Sequence, residues 1–340
     1  MSIMHTEQPV SSPSATVGAR TSRPFRGFGY KYGVIVVWVI AIVFFSVLAP
    51  STFPTVGNVT SILSAQSTLI LLSLAVLPVL ATGEIDLSVA GTMTVSATII
   101  GQLNAVLHWP IGIAIALGFL AALAVGLVNG VLTVYAGVQS IIVTLGMGTL
   151  LVGLSVWISN SLTISGVSPK LGKAMNTQVL GVNVGFYVAI VIGIVLWYVY
   201  RHTAIGRHIV FIGKNAEVAR LSGLPVDRLK MSAFLTTSLL SGAAGVMVIA
   251  ISGGLQPTSL QTLLLPAFAG AFLGSAILDP GSNNPLGTVI AVLFLATGIN
   301  GLVLLGADTW IRDVFYGAAV IVAVTVSRVA FVKARTKSLL

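Results

Sequence analysis

IGIAIALGFLAALAVGLVNGVLTVY, residues 111–135, is the centre of an 83-residue stretch, 87–169, that holds no Asp, Glu, Lys or Arg. About 20 apolar residues make a helix long enough to cross a bilayer, so this stretch accommodates three crossings. Turns fall at His108-Trp109-Pro110 and at Ala136-Gly137-Val138-Gln139-Ser140. The apolar runs lack a polar face of period two, so they read as helices and not as barrel strands. Working outward, Lys31 and Glu84 bracket 52 uncharged residues, room for two spans. Lys173 to Arg201 gives one, and Lys230 to Asp279 gives two, broken near Ser252-Gly253-Gly254. Asp279 to Asp308 gives another, and Trp310 to Ser327 a short last one. The expectation is an all-α integral membrane protein of about ten transmembrane helices.

Composition agrees. Of 340 residues, 56% are hydrophobic and 7% charged, where soluble domains carry about a quarter charged. Disordered chains show the opposite balance. Cysteine is absent, which excludes disulfides, thiolate catalysis and cysteine-ligated metals.

The basic residues orient the chain. With the N-terminus inside, Arg20, Arg23, Arg26 and Lys31 are cytoplasmic. Six spans on, so are Arg201, Arg207, Lys214, Arg220, Arg228 and Lys230; four more spans bring Arg328, Lys333, Arg335 and Lys337. Only Lys170, Lys173 and Arg312 fall outside, the asymmetry that the positive-inside rule requires. Both termini are therefore expected in the cytoplasm. The net charge of +9 belongs to topology and lipid contact; no basic cluster is interleaved with aromatics as a nucleic-acid surface would be. Residues 1–30, rich in Ser, Pro, Thr and Arg, read as a disordered tail. No small-residue cleavage site precedes the first apolar run, which reads as an uncleaved signal-anchor. Residues 31–328 form the membrane domain and 329–340 a basic cytoplasmic tail. Gly146-Met147-Gly148, Gly242-Ala243-Ala244-Gly245 and Gly126 to Gly130 suit close helix packing.

Most chemistry is missing. No phosphate-binding loop occurs; Gly166 to Lys173 has the wrong spacing and is followed by Ala174. No His, Asp or Glu cluster has metal-ligand spacing, and no base stands near a serine within the membrane. At membrane depth the titratable groups are chiefly Glu84 and Asp86, fewer than ion-coupled carriers commonly hold.

Three segments stand out. In Gly83-Glu84-Ile85-Asp86-Leu87-Ser88, Asp86 either caps the following helix with help from Ser88, or the segment lines a pathway and hydrogen-bonds a polar solute. Acidic and hydroxyl groups suit sugar hydroxyls, which both donate and accept. Between Arg201 and Lys230, Asn215 can cap a helix from Ala216 to Ser222, with Glu217 in its first turn, Gly223 past its end and Pro225 stopping it. Seven residues do not hold a helix in water, so it must dock on its own bundle, on lipid or on another protein. The third segment, the external loop Ser161–Val184, is a partner surface or a disordered insertion.

Gly83-Glu84-Ile85-Asp86-Leu87-Ser88-Val89 resembles the Gly-Gly-Ile-Asp-Leu-Ser-Val motif of the ribose/xylose-type ABC importer permeases. Ile142-Val143-Thr144-Leu145-Gly146, Gly126-Leu127-Val128-Asn129-Gly130, and the loop from Gly206-Arg207 through Ala219-Arg220-Leu221-Ser222-Gly223-Leu224-Pro225 to Lys230 resemble further segments of that family, in order. Two departures are Glu84, where the family usually has glycine, and a less glycine-rich 274–287 segment.

The resemblance implies a permease in a bacterial plasma (inner) membrane, paired with a second copy or a paralogue. Separate ABC ATPase subunits would grip the 201–230 loop through Asn215, Glu217, Ala219, Arg220, Leu221, Ser222 and Gly223. An extracytoplasmic binding protein would deliver a sugar or sugar-like solute. The permease itself would hold no cofactor, ATP being used by its partner. Glu84, Asp86, Ser88, Asn129 and Asn300 are the expected pathway residues. Alternatives are a branched-chain amino acid permease and, more distantly, an ion-coupled carrier.

Overall fold

The computed structural model describes residues 25–278 and 283–337, and they are helical nearly throughout. In the interval before Glu84 lie α1 (Phe25–Leu48), α2 (Val56–Ala65) and α3 (Ser67–Ala81). The latter two are bent by 42° about Gln66. In the long uncharged stretch lie α4 (Val89–Gly101), α5 (Ile111–Gly130) and α6 (Ser140–Ile158). Single π-turns at 102–106 and 131–135 lengthen α4 and α5. There follow α7 (Pro169–Asn176), α8 (Val184–His202), α9 (Ala204–Lys214), α10 (Ala216–Leu221) and α11 (Val226–Ser252). Last come α12 (Leu264–Gly274), entered by a 3₁₀ turn at 260–263, α13 (Pro285–Leu304) and α14 (Trp310–Lys337). Among the described residues, six helices are long and apolar enough to cross a membrane, seven if the bent α2–α3 pair is one span. The chain is a multi-pass membrane protein.

Helix ends follow local chemistry. Thr55, Asn183, Thr203 and Asn215 each accept the N–H three residues on, capping α2, α8, α9 and α10. Gly253, at φ 69°, ends α11 where the break was expected.

The core is built around α11, which packs on α3, α4 and α5, burying Leu72, Leu74, Leu77, Met93, Phe234 and Ile249. Close seams need small residues: a Cβ on Gly245 would lie 2.6 Å from the Met93 carbonyl oxygen, and one on Gly242 2.9 Å from the Ala122 methyl. Gly146, read as a packing glycine, instead faces open space. α5, α6 and α8 turn Leu120, Trp157 and Val195 outward, apolar surface of the kind that lipid covers.

Four expectations change. Residues 25–30, read as tail, belong to α1; residues 1–24 lie outside the described residues, as do 279–282 and 338–340. Residues 329–337, read as a basic tail, continue α14. The 201–230 segment is not a loop around one short helix but the succession α9, α10 and the start of α11, and α10 stops at Leu221 because Ser222 turns out of helical geometry. The external segment is largely ordered on its own protein. Its β1 (Ile164–Ser165) pairs with β4 (Gly254–Leu255), and β2 (Gln178–Val179) with β3 (Val182–Asn183). Asn104 Oδ1 accepts from Ser168 N at 2.8 Å, and Asn176 Nδ2 donates to the Ile251 carbonyl at 3.1 Å.

Candidate functional site: the α3–α4 break and its cavities

After α3 the chain turns at Gly83, whose φ of 86° suits glycine, and runs non-helically through Glu84, Ile85 and Asp86. Asp86 is buried, and its Oδ1 accepts from Ser88 N at 2.8 Å and Ser88 Oγ at 2.6 Å. Asn129 of α5, fully buried, donates from Nδ2 to the same Ser88 Oγ at 2.8 Å. Three of the expected residues, 86, 88 and 129, thus form one buried chain of hydrogen bonds, and the Asn129 amide oxygen has no partner among the described residues.

Glu84 faces elsewhere. Its Oε1 accepts from Lys230 Nζ, at the start of α11, at 2.5 Å, and its Oε2 from Ser140 Oγ at 2.7 Å. Burial alone would raise this carboxyl; the bonds from Lys230 and Ser140 outweigh it and hold the group below its ordinary value. The break's backbone is held by α6, since Leu87 N donates to Thr144 Oγ1 at 2.9 Å and Ile85 N to Ser140 Oγ at 3.3 Å. Ser140, Thr144 and Lys230 were not among the expected site residues. Thr144 stood inside a segment singled out for its resemblance, the one signal that pointed to it.

On the other side of the break lies α9. Gly213 packs on the α3 terminus so closely that a Cβ there would overlap the Ala81 carbonyl and come 3.3 Å from Gly83 N. From Gly213 the chain passes directly into α10. Asn215 Oδ1 accepts from Val218 N at 3.1 Å, and Glu217 occupies the first turn. Ala219 is buried against Ile212 and Val226, which seats α10 on its own protein. Ser222 Oγ donates to the Val218 carbonyl, Gly223 follows at φ 80°, and Arg220 reaches Asp227 at 2.6 Å. Leu221, by contrast, projects with 86% of its surface exposed.

Asn300 is not with the other pathway residues. It lines a cavity of about 950 Å³ between the α2–α3 bend, α13 and α14, together with Gln66, Thr68, Thr262, Arg312 and Asp313. A second cavity, of about 480 Å³, lies along α12 and is bounded by Ile85 and Leu87 of the break. Among the described residues, no three His, Cys, Asp or Glu side chains gather as a metal site would require.

Comparison with known proteins gives this geometry a family. Residues 58–324 match the family described as branched-chain amino acid transport system / permease component. The D-allose transport system permease protein AlsC of Escherichia coli (strain K12) is 28% identical over 312 residues, 91% of this chain and 96% of that protein. The L-arabinose ABC transporter permease protein AraH of Azospirillum brasilense is 30% identical over 294 residues, 86% of each chain. The ribose import permease protein RbsC of Escherichia coli (strain K12) is 30% identical over 306 residues, 86% of this chain and 92% of that one. No solved structure matches significantly. With more than three-quarters of its length inside the match, the chain belongs to the branched-chain amino acid transport system / permease component family, on the side of its sugar-type ABC permeases.

Proposed function

We propose that this chain is the membrane-crossing subunit of an ATP-driven importer for a sugar or sugar-like solute in a bacterial plasma membrane. The observation that carries the reading is near full-length similarity to permeases named for allose, arabinose and ribose. The sequence has no phosphate loop, so ATP hydrolysis is assigned to separate ATPase subunits. A solute-binding protein would supply the opposite face, and a second copy or paralogue would complete the pore.

Ten spans with both ends cytoplasmic fit this role. The six long helices, the bent α2–α3 pair, the two shorter apolar helices α1 and α12, and α14 make up that number. Glu84 to Ser88 then stand on the cytoplasmic side of the membrane with α9 and α10. We assign Asn215 to Gly223 to ATPase contact, with Leu221 as the projecting group. Asp86, Ser88 and Asn129 shape the break whose Ile85 and Leu87 border the inner cavity, Glu84 anchors it, and Asn300 lines the outer one. ATPase closure would move α9 and α10 and switch access.

The test is reconstitution of the chain with the ATPase and binding protein encoded beside it. ATP-dependent uptake of D-ribose, D-allose or L-arabinose supports the reading. Uptake of L-leucine alone favours the amino acid permease, and uptake driven by an ion gradient without ATP overturns it.

A further inference from the structure

The two cavities adjoin. Thr262, in the 3₁₀ turn ahead of α12, lines both of them. The outer cavity has a mixed polar and apolar lining and carries Arg312 and Asp313. The inner one is walled by Leu264, Phe268 and Phe272 of α12 and by Ile85 and Leu87, with Gln261 and Thr262 as polar groups in its lining. Each cavity is of the size that holds a small molecule, roughly 300–1,000 Å³.

Each also contains an unsatisfied acceptor. The Asn300 amide oxygen in the outer cavity and the Gln261 amide oxygen in the inner one are buried with no hydrogen-bond partner among the described residues. Leaving such a group unpaired costs about 1–3 kcal/mol, so two in adjoining cavities call for a donor that visits them. Thr262 does not supply it, because its hydroxyl donates to the Ser259 carbonyl at 2.7 Å.

We propose that solute crosses along the 260–263 turn and α12, with Asn300 and then Gln261 as its successive hydrogen-bonding stations and Thr262 at the neck between them. This deepens the import reading and rests on it. The solute class is a neutral polyhydroxylated molecule. Its hydroxyls donate to the two amide oxygens, and its C–H faces lie on Phe268, Phe272 and Leu264. A zwitterionic amino acid fits less well, since its carboxylate can only accept. Among the described residues, the cation that could meet it is Arg312 in the outer cavity, and no charged residue lines the inner one. At the far end Ile85 and Leu87 form an apolar barrier, positioned by the hydrogen bonds of Asp86, Ser88 and Thr144.

The absence of cysteine makes the route directly testable. Thr262→Cys is placed in the full reconstituted transporter and its modification by a membrane-impermeant methanethiosulfonate is timed with D-ribose, D-allose, L-arabinose or L-leucine present. One of the sugars is expected to slow modification several-fold, and L-leucine is not. Asn300→Leu and Gln261→Leu are each expected to raise KM for sugar uptake about tenfold, the loss of one hydrogen bond, while kcat changes much less. If the leucine variants fail to fold, the Thr262→Cys protection decides alone. An active transporter whose Thr262→Cys is modified equally with and without sugar, or whose leucine variants keep the parental KM, overturns the route. Protection by L-leucine only overturns the solute class. A parental transporter with no ATP-dependent uptake overturns the import reading itself.

Discussion

Glu84 and Lys230, 146 residues apart in sequence, meet at 2.5 Å and join the α3–α4 break to the first turns of α11. Their side chains are 22% and 19% exposed, an environment between the surface and a dry core. Exposed pairs contribute up to about 1 kcal/mol, and breaking a buried one costs about 3–5. Glu84→Gln and Lys230→Met are each expected to lower stability by about 2 kcal/mol. The swapped double variant Glu84→Lys with Lys230→Glu should recover most of it. Because the folded carboxyl lies below its ordinary value, its contribution is present at neutral pH and is lost as pH falls through the folded value. Thermal denaturation in detergent across pH checks both statements: the gap between parent and Glu84→Gln should close in acid. A gap that widens in acid would refute the ion-pair account.

Asp86→Asn separates charge from capping. The asparagine oxygen can still accept from Ser88 N and Oγ, and asparagine is as good a cap as aspartate. The amount of folded protein should therefore stay near parental, while transport falls more than that amount does. Asp86→Ala leaves two buried donors without their acceptor and should lower stability by about 1–3 kcal/mol. Full transport by Asp86→Asn would reduce the residue to a neutral cap.

What could be read from the sequence is what the chain does over short distances. Asn215 as a cap, the turn at Gly223 and the end of α11 at Gly253 are each set within five residues of chain. Charge-free runs located the apolar helices because charge excludes a segment from lipid. The same criterion missed α9, whose sequence is broken by Arg207, His208 and Lys214, and α7, broken by Lys170 and Lys173. Nor could spacing pair Glu84 with Lys230, place Thr144 under Leu87, or separate Asn300 from Asn129. Those relations arise from packing of helices remote in sequence, and no local propensity encodes them.

Sidedness has a direct measurement. Lys170 in α7 and Lys214 at the end of α9 are both exposed, and the chain has no cysteine to interfere. Fourteen basic residues fall on the proposed cytoplasmic side and three opposite. Lys170→Cys should label with an impermeant maleimide from outside intact cells, and Lys214→Cys only after permeabilisation. Labelling of both from the same side would refute the ten-span topology.

Gly223 tests whether α10 carries ATPase contact. Its φ of 80° is one that a β-branched residue resists, yet no atom lies within 4 Å of where a Cβ would sit. The cost of a side chain there is conformational, about 1–2 kcal/mol, and not steric. Valine should therefore displace the α10–α11 turn, loosening the Arg220–Asp227 contact and redirecting exposed Leu221, while the membrane helices remain in place. Gly223→Val is expected to insert and accumulate normally but to lose co-purification with the ATPase and solute-stimulated hydrolysis. Gly223→Asn, which enters the left-handed region more readily, should retain most of both. Leu221→Ser should weaken association with the turn intact, since it removes the projecting apolar group alone. Normal ATPase stimulation in Gly223→Val and Leu221→Ser together would assign coupling to another element.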